Sequence, residues 1–160
     1  RVVNTASDAH TAGTIDFDDL QSEKAYRGNL LDWVRFGGPA FRVYGRSKLM
    51  NILYTHELAK KLAGTGVTAN SLHPGFVATR FGDQTGGLLS FAIRFAKRFA
   101  LTPEQGAETL VYLASSLDIS NVTGEYFHKC RPLSPSKEAQ DDAKGQRLWL
   151  ETAKLAHIED

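Results

Sequence analysis

The chain has 160 residues, which fits one domain able to bury a real core. Hydrophobic residues make up 42% and charged residues 23%, the balance of an ordinary globular protein, and a formal net charge of +1 gives no bulk attraction to nucleic acid. Cys130 is the only cysteine, which excludes an internal disulfide and a cysteine zinc cluster; the five histidines lack metal-site spacings, so no metal is expected.

From the amino end, Arg1 to Ala6 carries β-branched Val2, Val3 and Thr5 with no turn, cap or leader before them, and reads as part of a longer chain. No apolar run reaches the roughly 18 residues of a membrane span. The run predicts a strand that delivers Ser7 to its carboxyl end, where open parallel sheets bind ligands. Ser7 and Asp8 there are also ordinary turn formers. From Thr11 to Gly38 the signal is mixed. Ile15 to Phe17 reads as a short edge or loop, and Leu20 to Leu31 with Trp33 has patchy helical spacing broken by Gly28. So long an excursion before a helix suits a pocket wall.

Phe41 to Ala63 is the clearest helix, with Leu49, Ile52, Leu53, His56, Leu58 and Leu62 near one stripe and Gly64 and Gly66 as the stop. Tyr44 and Lys48, four apart, share a face of it. A phenol has a reference pKa of about 10, and an ammonium beside it favours the phenolate, so the pair suits general acid/base work. The same spacing is common on plain solvated helices. Val67 to Leu72 reads as a buried strand, completing a βαβ unit with a right-handed crossover. It runs into Pro74-Gly75, an abrupt turn where glycine lets a ligand approach the backbone, or simple loop punctuation.

Three readings compete for the apolar, basic stretch Gly86 to Ala100: a lid hinged at Gly82, Gly86 and Gly87, a helix on a membrane surface, or core. The lid, spanning 83–100, is preferred. Thr102, Pro103 and Gln105 predict a capped helix running to about Ser115. Asn121 to Phe127 predicts a turn and a last short strand. Pro132 to Pro135 reads as a linker, and Lys137 to Leu155 as a charged helix.

Together Asn4-Thr5-Ala6-Ser7, Tyr44-Gly45-Arg46-Ser47-Lys48 and Asn70 to Thr79 resemble the carboxyl-terminal half of a short-chain dehydrogenase/reductase. Phe17-Asp18-Asp19-Leu20, Leu49 and the long insertion before Tyr44 are similar to its retinol-dehydrogenase-like branch. The resemblance runs from Arg1 to about Trp149. It implies an α/β fold: the carboxyl-terminal part of a Rossmann-like doubly wound parallel sheet, about three strands with flanking helices. Residues 1–160 would be a partial nucleotide-binding domain, with 132–160 a terminal linker and helix.

The implied reaction is NAD(P)-dependent interconversion of an alcohol and a carbonyl, with NADP placed ahead of NAD. Tyr44 matches the family's proton donor and acceptor, Lys48 the lysine that bonds the nicotinamide ribose, and Ser7 the serine that holds the substrate oxygen. Pro74, Gly75, Val77 and Thr79 match the loop at the nicotinamide end. A lipophilic substrate, such as a retinoid, steroid or long-chain aldehyde or ketone, suits the segment Leu88 to Phe99. The implied setting is cytoplasmic or a cytosol-facing membrane surface, with membrane-surface contact and a homodimer across the Tyr44 helix.

The chain departs from the family in carrying no Gly-x-x-x-Gly-x-Gly phosphate cradle. Two expectations follow. Either the chain is part of an oxidoreductase that works with the missing amino-terminal half, on the same or another chain, or it is a catalytically silent truncated product acting through partner association at an exposed sheet edge.

Overall fold

A computed structural model describes residues 1–25, 38–77 and 100–158. In these, four strands form one sheet in the order β1 (Val2–Thr5), β2 (Ala69–His73), β3 (Tyr126–His128) and β4 (Arg131–Pro132). β1 and β2 run parallel with Val3 opposite Asn70, and β3 joins β2 in parallel with Leu72 opposite Phe127. β4 returns antiparallel, with His128 opposite Arg131.

Among the described residues three helices cover the sheet: α1 (Pro39–Lys61), α2 (Pro103–Ser115) and α3 (Asp142–Leu155). Side chains alternate across a strand, so Tyr126 and Phe127 serve opposite layers. Tyr126 joins Leu49, Ile52 and Leu53 of α1 and Leu148 of α3, whereas Phe127 joins Leu72, Leu113 of α2 and Ile119. Leu49 is fully buried, and cutting such a side chain to alanine costs about 2–5 kcal/mol. The α/β class, the parallel βαβ unit and the flanking helices are as expected from sequence.

The helix signals worked through local chemistry. α1 starts with Pro39 behind Gly38 at φ 93°, and past its end Gly64 and Gly66 stand at φ 80° and 77°. α2 has the full capping box: Thr102 Oγ1 accepts the Gln105 N–H at 3.3 Å, and Gln105 Oε1 accepts the Thr102 N–H at 2.9 Å.

Two segments differ from expectation. The linker at Pro132 is instead part of β4, because the Leu133 N–H bonds the Tyr126 carbonyl at 2.7 Å and closes a hairpin. The last helix begins at Asp142 rather than Lys137. Asp141 sits in extended backbone and caps it by accepting the Lys144 N–H, while Lys137–Gln140 form a separate 3-10 turn capped by Ser136. The 3-10 turn Phe17–Asp19 resolves the Ile15 to Phe17 reading as loop. The patchy helix beyond residue 25, with Gly28 and Trp33, lies outside the described residues. Among the described residues no helix is long and apolar enough to cross a membrane.

Candidate active site

Parallel pairing brings the carboxyl ends of β1, β2 and β3 to one edge of the sheet. Ser7 follows β1 after Ala6. The Ala6 N–H still pairs with the Leu72 carbonyl at 2.8 Å, and Ser7 then starts a 3-10 turn, Asp8–Ala12, its Oγ accepting the Ala9 N–H at 3.2 Å. Its carbonyl accepts the His10 N–H at 3.1 Å, and His10 Nδ1 lies 2.8 Å from it. That turn returns onto α1 through two glycines. A Cβ on Gly45 would lie 2.6 Å from the Ala9 carbonyl oxygen, and one on Gly13 would lie 2.6 Å from the Gly45 carbonyl. Backbone therefore meets backbone beside Tyr44.

Lys48, one turn along α1, donates to the Thr5 carbonyl at 3.1 Å, and Asn51 Nδ2 donates to the same oxygen at 3.2 Å. Lys48 Nζ stands 5.5 Å from the centroid of the Tyr44 ring. Both side chains are partly buried. On the far side of α1, Arg46 is buried and holds the excursion after β1. Its guanidinium donates to the Thr14 and Asp19 carbonyls, both at 2.9 Å, and to Ser22 Oγ at 3.1 Å, with the Asp19 carboxylate 3.8 Å away.

Pro74 and Gly75 follow β2, and Gly75 takes φ 89°, a left-handed backbone that favours glycine. The loop is clamped to the start of α2. Val77 bridges Leu101, the Leu101 N–H bonds the Phe76 carbonyl at 2.8 Å, and a Cβ on Gly106 would meet Val77 Cγ2 at 2.5 Å.

Ser7, Tyr44, Pro74, Gly75 and Val77 line one cavity of about 750 Å3, with His73 on its wall. Lys48 is not part of that wall and adjoins it through Tyr44. Thr79 lies outside the described residues, as does the proposed lid apart from Ala100. A hydroxyl and a phenol on one cavity, with an ammonium near the phenol, suit an oxygen that gains negative charge. These donors also fit the nicotinamide-ribose end of a dinucleotide.

His73 links the strand ends: Nδ1 accepts the Asp8 N–H at 3.3 Å, its carbonyl accepts from His128 Nδ1 at 3.1 Å, and the two rings stack 4.9 Å apart. Burial, then the neighbouring His128 and His10, push the His73 pKa down against the opposing Asp8. Sequence reasoning passed over His10, Arg46, Asn51 and the Gly13–Gly45 contact. Gly45 inside Tyr-x-x-x-Lys and a charged Arg46 two residues from Tyr44 were the available signals, and neither says what it touches.

The family model for Enoyl-(Acyl carrier protein) reductase matches residues 33–129. Retinol dehydrogenase 13 of Homo sapiens is 37% identical over 164 residues, covering 99% of this chain and 46% of that protein. Retinol dehydrogenase 14 of Homo sapiens is 38% identical, covering 93% and 42%, and Retinol dehydrogenase 12 of Mus musculus is 38% identical, covering 99% and 46%. A crystal structure of an uncharacterized protein from Mycobacterium paratuberculosis superposes with a TM-score of 0.67 at 24% identity, over 99% of this chain and 51% of that one, which bears on fold alone. The chain spans about half the length of the curated relatives it matches. With that family match over most of the chain, on a sheet whose first three strands pair in parallel as expected, the chain belongs to the short-chain dehydrogenase/reductase family, in its retinol-dehydrogenase-like branch.

Proposed function

We propose that this chain supplies the reacting end of an NAD(P)-dependent oxidoreductase that interconverts a lipophilic alcohol and its carbonyl. The observation that carries the reading is the convergence of Ser7 and Tyr44 on one cavity, with Lys48 Nζ 5.5 Å from the Tyr44 ring. Ser7 Oγ holds the substrate oxygen. The Tyr44 phenol gives that oxygen a proton in reduction and removes it in oxidation. The Lys48 ammonium binds the nicotinamide ribose, while Pro74, Gly75 and Val77 face the nicotinamide, the loop to which the resemblance also assigns Thr79. The bound cofactor supplies the hydride chemistry, and the chain supplies orientation and electrostatics. The relatives' names support a retinoid or another long apolar carbonyl. NADP is placed ahead of NAD, and the setting is the cytosol or a membrane surface facing it.

The test is turnover of retinal, decanal and a small polar aldehyde with NADPH and NADH, in a chimera joining this chain to the amino-terminal half of a relative. Tyr44→Phe is expected to lower kcat by about 100- to 10,000-fold. Normal turnover by that variant would remove Tyr44 from the chemistry, and turnover of the polar aldehyde alone would reject the lipophilic substrate. The silent-product reading draws on the lack of a Gly-x-x-x-Gly-x-Gly turn in the 160 residues. Micromolar NADPH binding by this chain by itself would reject it.

A further inference from the structure

We propose that His10 is a positioning residue for Ser7, held in a single neutral tautomer by the backbone N–H of Ser136, so that the segment after β4 belongs to the active-site apparatus. The inference rests on the reading of Ser7 as the holder of the substrate oxygen. His10 is 2% exposed, and its ring makes two polar contacts. Nε2 lies 3.1 Å from the Ser136 N–H, and Nδ1 lies 2.8 Å from the Ser7 carbonyl oxygen.

An N–H only donates and a carbonyl only accepts, so Nε2 carries the lone pair and Nδ1 the proton. The opposite tautomer loses both bonds together, facing a hydrogen to the Ser136 N–H and a lone pair to the Ser7 carbonyl. Such unmade bonds are costly at a buried site. The ring is also braced edge-on against Tyr126, with centroids 5.2 Å apart. Ser7 is thereby tied at its carbonyl from one side while its side chain lines the cavity.

The far partner is held as well. Ser136 Oγ accepts the Ala139 N–H at 3.3 Å, and Gln140 Nε2 donates to the Pro135 carbonyl at 2.8 Å. A segment 126 residues away in sequence thus sets which nitrogen of His10 faces Ser7.

Ser136 offers a clean test because its φ is −57°, already within the range of proline. Ser136→Ala removes the hydroxyl alone; Ser136→Pro removes the hydroxyl and the N–H, so their difference reports the N–H. In 15N imidazole NMR of this chain, His10 is expected as the Nδ1–H tautomer in the wild type and in Ser136→Ala, and as a tautomer mixture in Ser136→Pro. In the chimera, Ser136→Pro is expected to lower kcat about 10- to 100-fold below Ser136→Ala, with KM for the cofactor unchanged. His10→Asn, whose amide can donate from near the Nδ1 position, should retain more activity than His10→Leu.

An Nε2–H tautomer in the wild type overturns the proposal without recourse to any variant. A tautomer change in Ser136→Pro with turnover equal to Ser136→Ala overturns the positioning role. Full turnover by Tyr44→Phe would instead defeat the underlying reading and leave the tautomer result standing.

Discussion

Gly13 and Gly45 meet backbone to backbone, 32 positions apart, and their contact sets the Ser7 turn against the helix that carries Tyr44. Neither site has room for a methyl group without backbone movement. Gly45→Ala should gain up to about 1 kcal/mol of helix propensity and lose about 1–3 kcal/mol to overpacking. The expected result is net destabilisation, read as a lower urea midpoint at unchanged m-value. Gly13→Ala should act in the same direction. A raised midpoint in both variants would show that the close approach is absent.

Asp19 ties stability to pH. Burial pushes its carboxyl up, but the Lys24 and Ala25 N–H groups and the Arg46 and Lys24 charges outweigh burial and hold it below the usual carboxylate range. A carboxyl depressed in the folded state adds stability above its unfolded pKa of about 3.9 and loses it as pH falls through the folded value. The wild-type midpoint should therefore drop below about pH 4, and Asp19→Asn should flatten that part of the profile. Identical profiles for the two proteins would remove Asp19 from the acid transition.

The β3–β4 connection places Lys129 at φ 50° and Cys130 at φ 57°, left-handed backbone at two residues other than glycine. Two-residue hairpin turns with both central residues at positive φ favour Asn-Gly. Cys130→Gly removes one strained position and gives up the Sγ contact with Thr109 at 4.0 Å, while keeping the N–H bond to Thr109 Oγ1 at 3.2 Å. A gain of about 1 kcal/mol is expected, seen as a Tm rise of about 2–4 °C by calorimetry.

Tyr126 buries its hydroxyl with no hydrogen-bond partner among the described residues, and burial pushes its pKa up. Tyr126→Phe removes that oxygen and keeps the ring against His10. Stability should be unchanged or rise by about 1 kcal/mol. A loss above 2 kcal/mol would reveal a partner for the hydroxyl, such as a buried water.

The elements that sequence placed well are those whose signals are local. The capping box at Thr102 and Gln105 and the glycines beyond the end of α1 act within a few residues, so they read directly from the chain, whereas α1 starts at Pro39, two residues before the expected Phe41. The candidate site was legible only in pieces. Ser7, Tyr44 and the Pro74-Gly75 turn stood out by local pattern and took their roles, with Val77, from resemblance, and the structure brings these five residues to one cavity. β4 was missed because two residues carry no periodicity, and its pairing depends on the Leu133 N–H reaching the Tyr126 carbonyl.

By itself the sequence determined the order of β1, α1, β2, α2, β3 and α3, the capping box of α2 and the four-residue spacing that puts Tyr44 and Lys48 on one face, since all of these are set by contacts along a short length of chain. Tertiary structure alone decided that Ser7 and Tyr44 share a cavity, that Arg46 turns away from them to hold Asp19, and that Ser136 reaches His10. The physical reason is that these contacts join residues 27 to 126 apart, and they exist only once strand register and the glycine-to-glycine approach bring distant backbone within hydrogen-bonding distance.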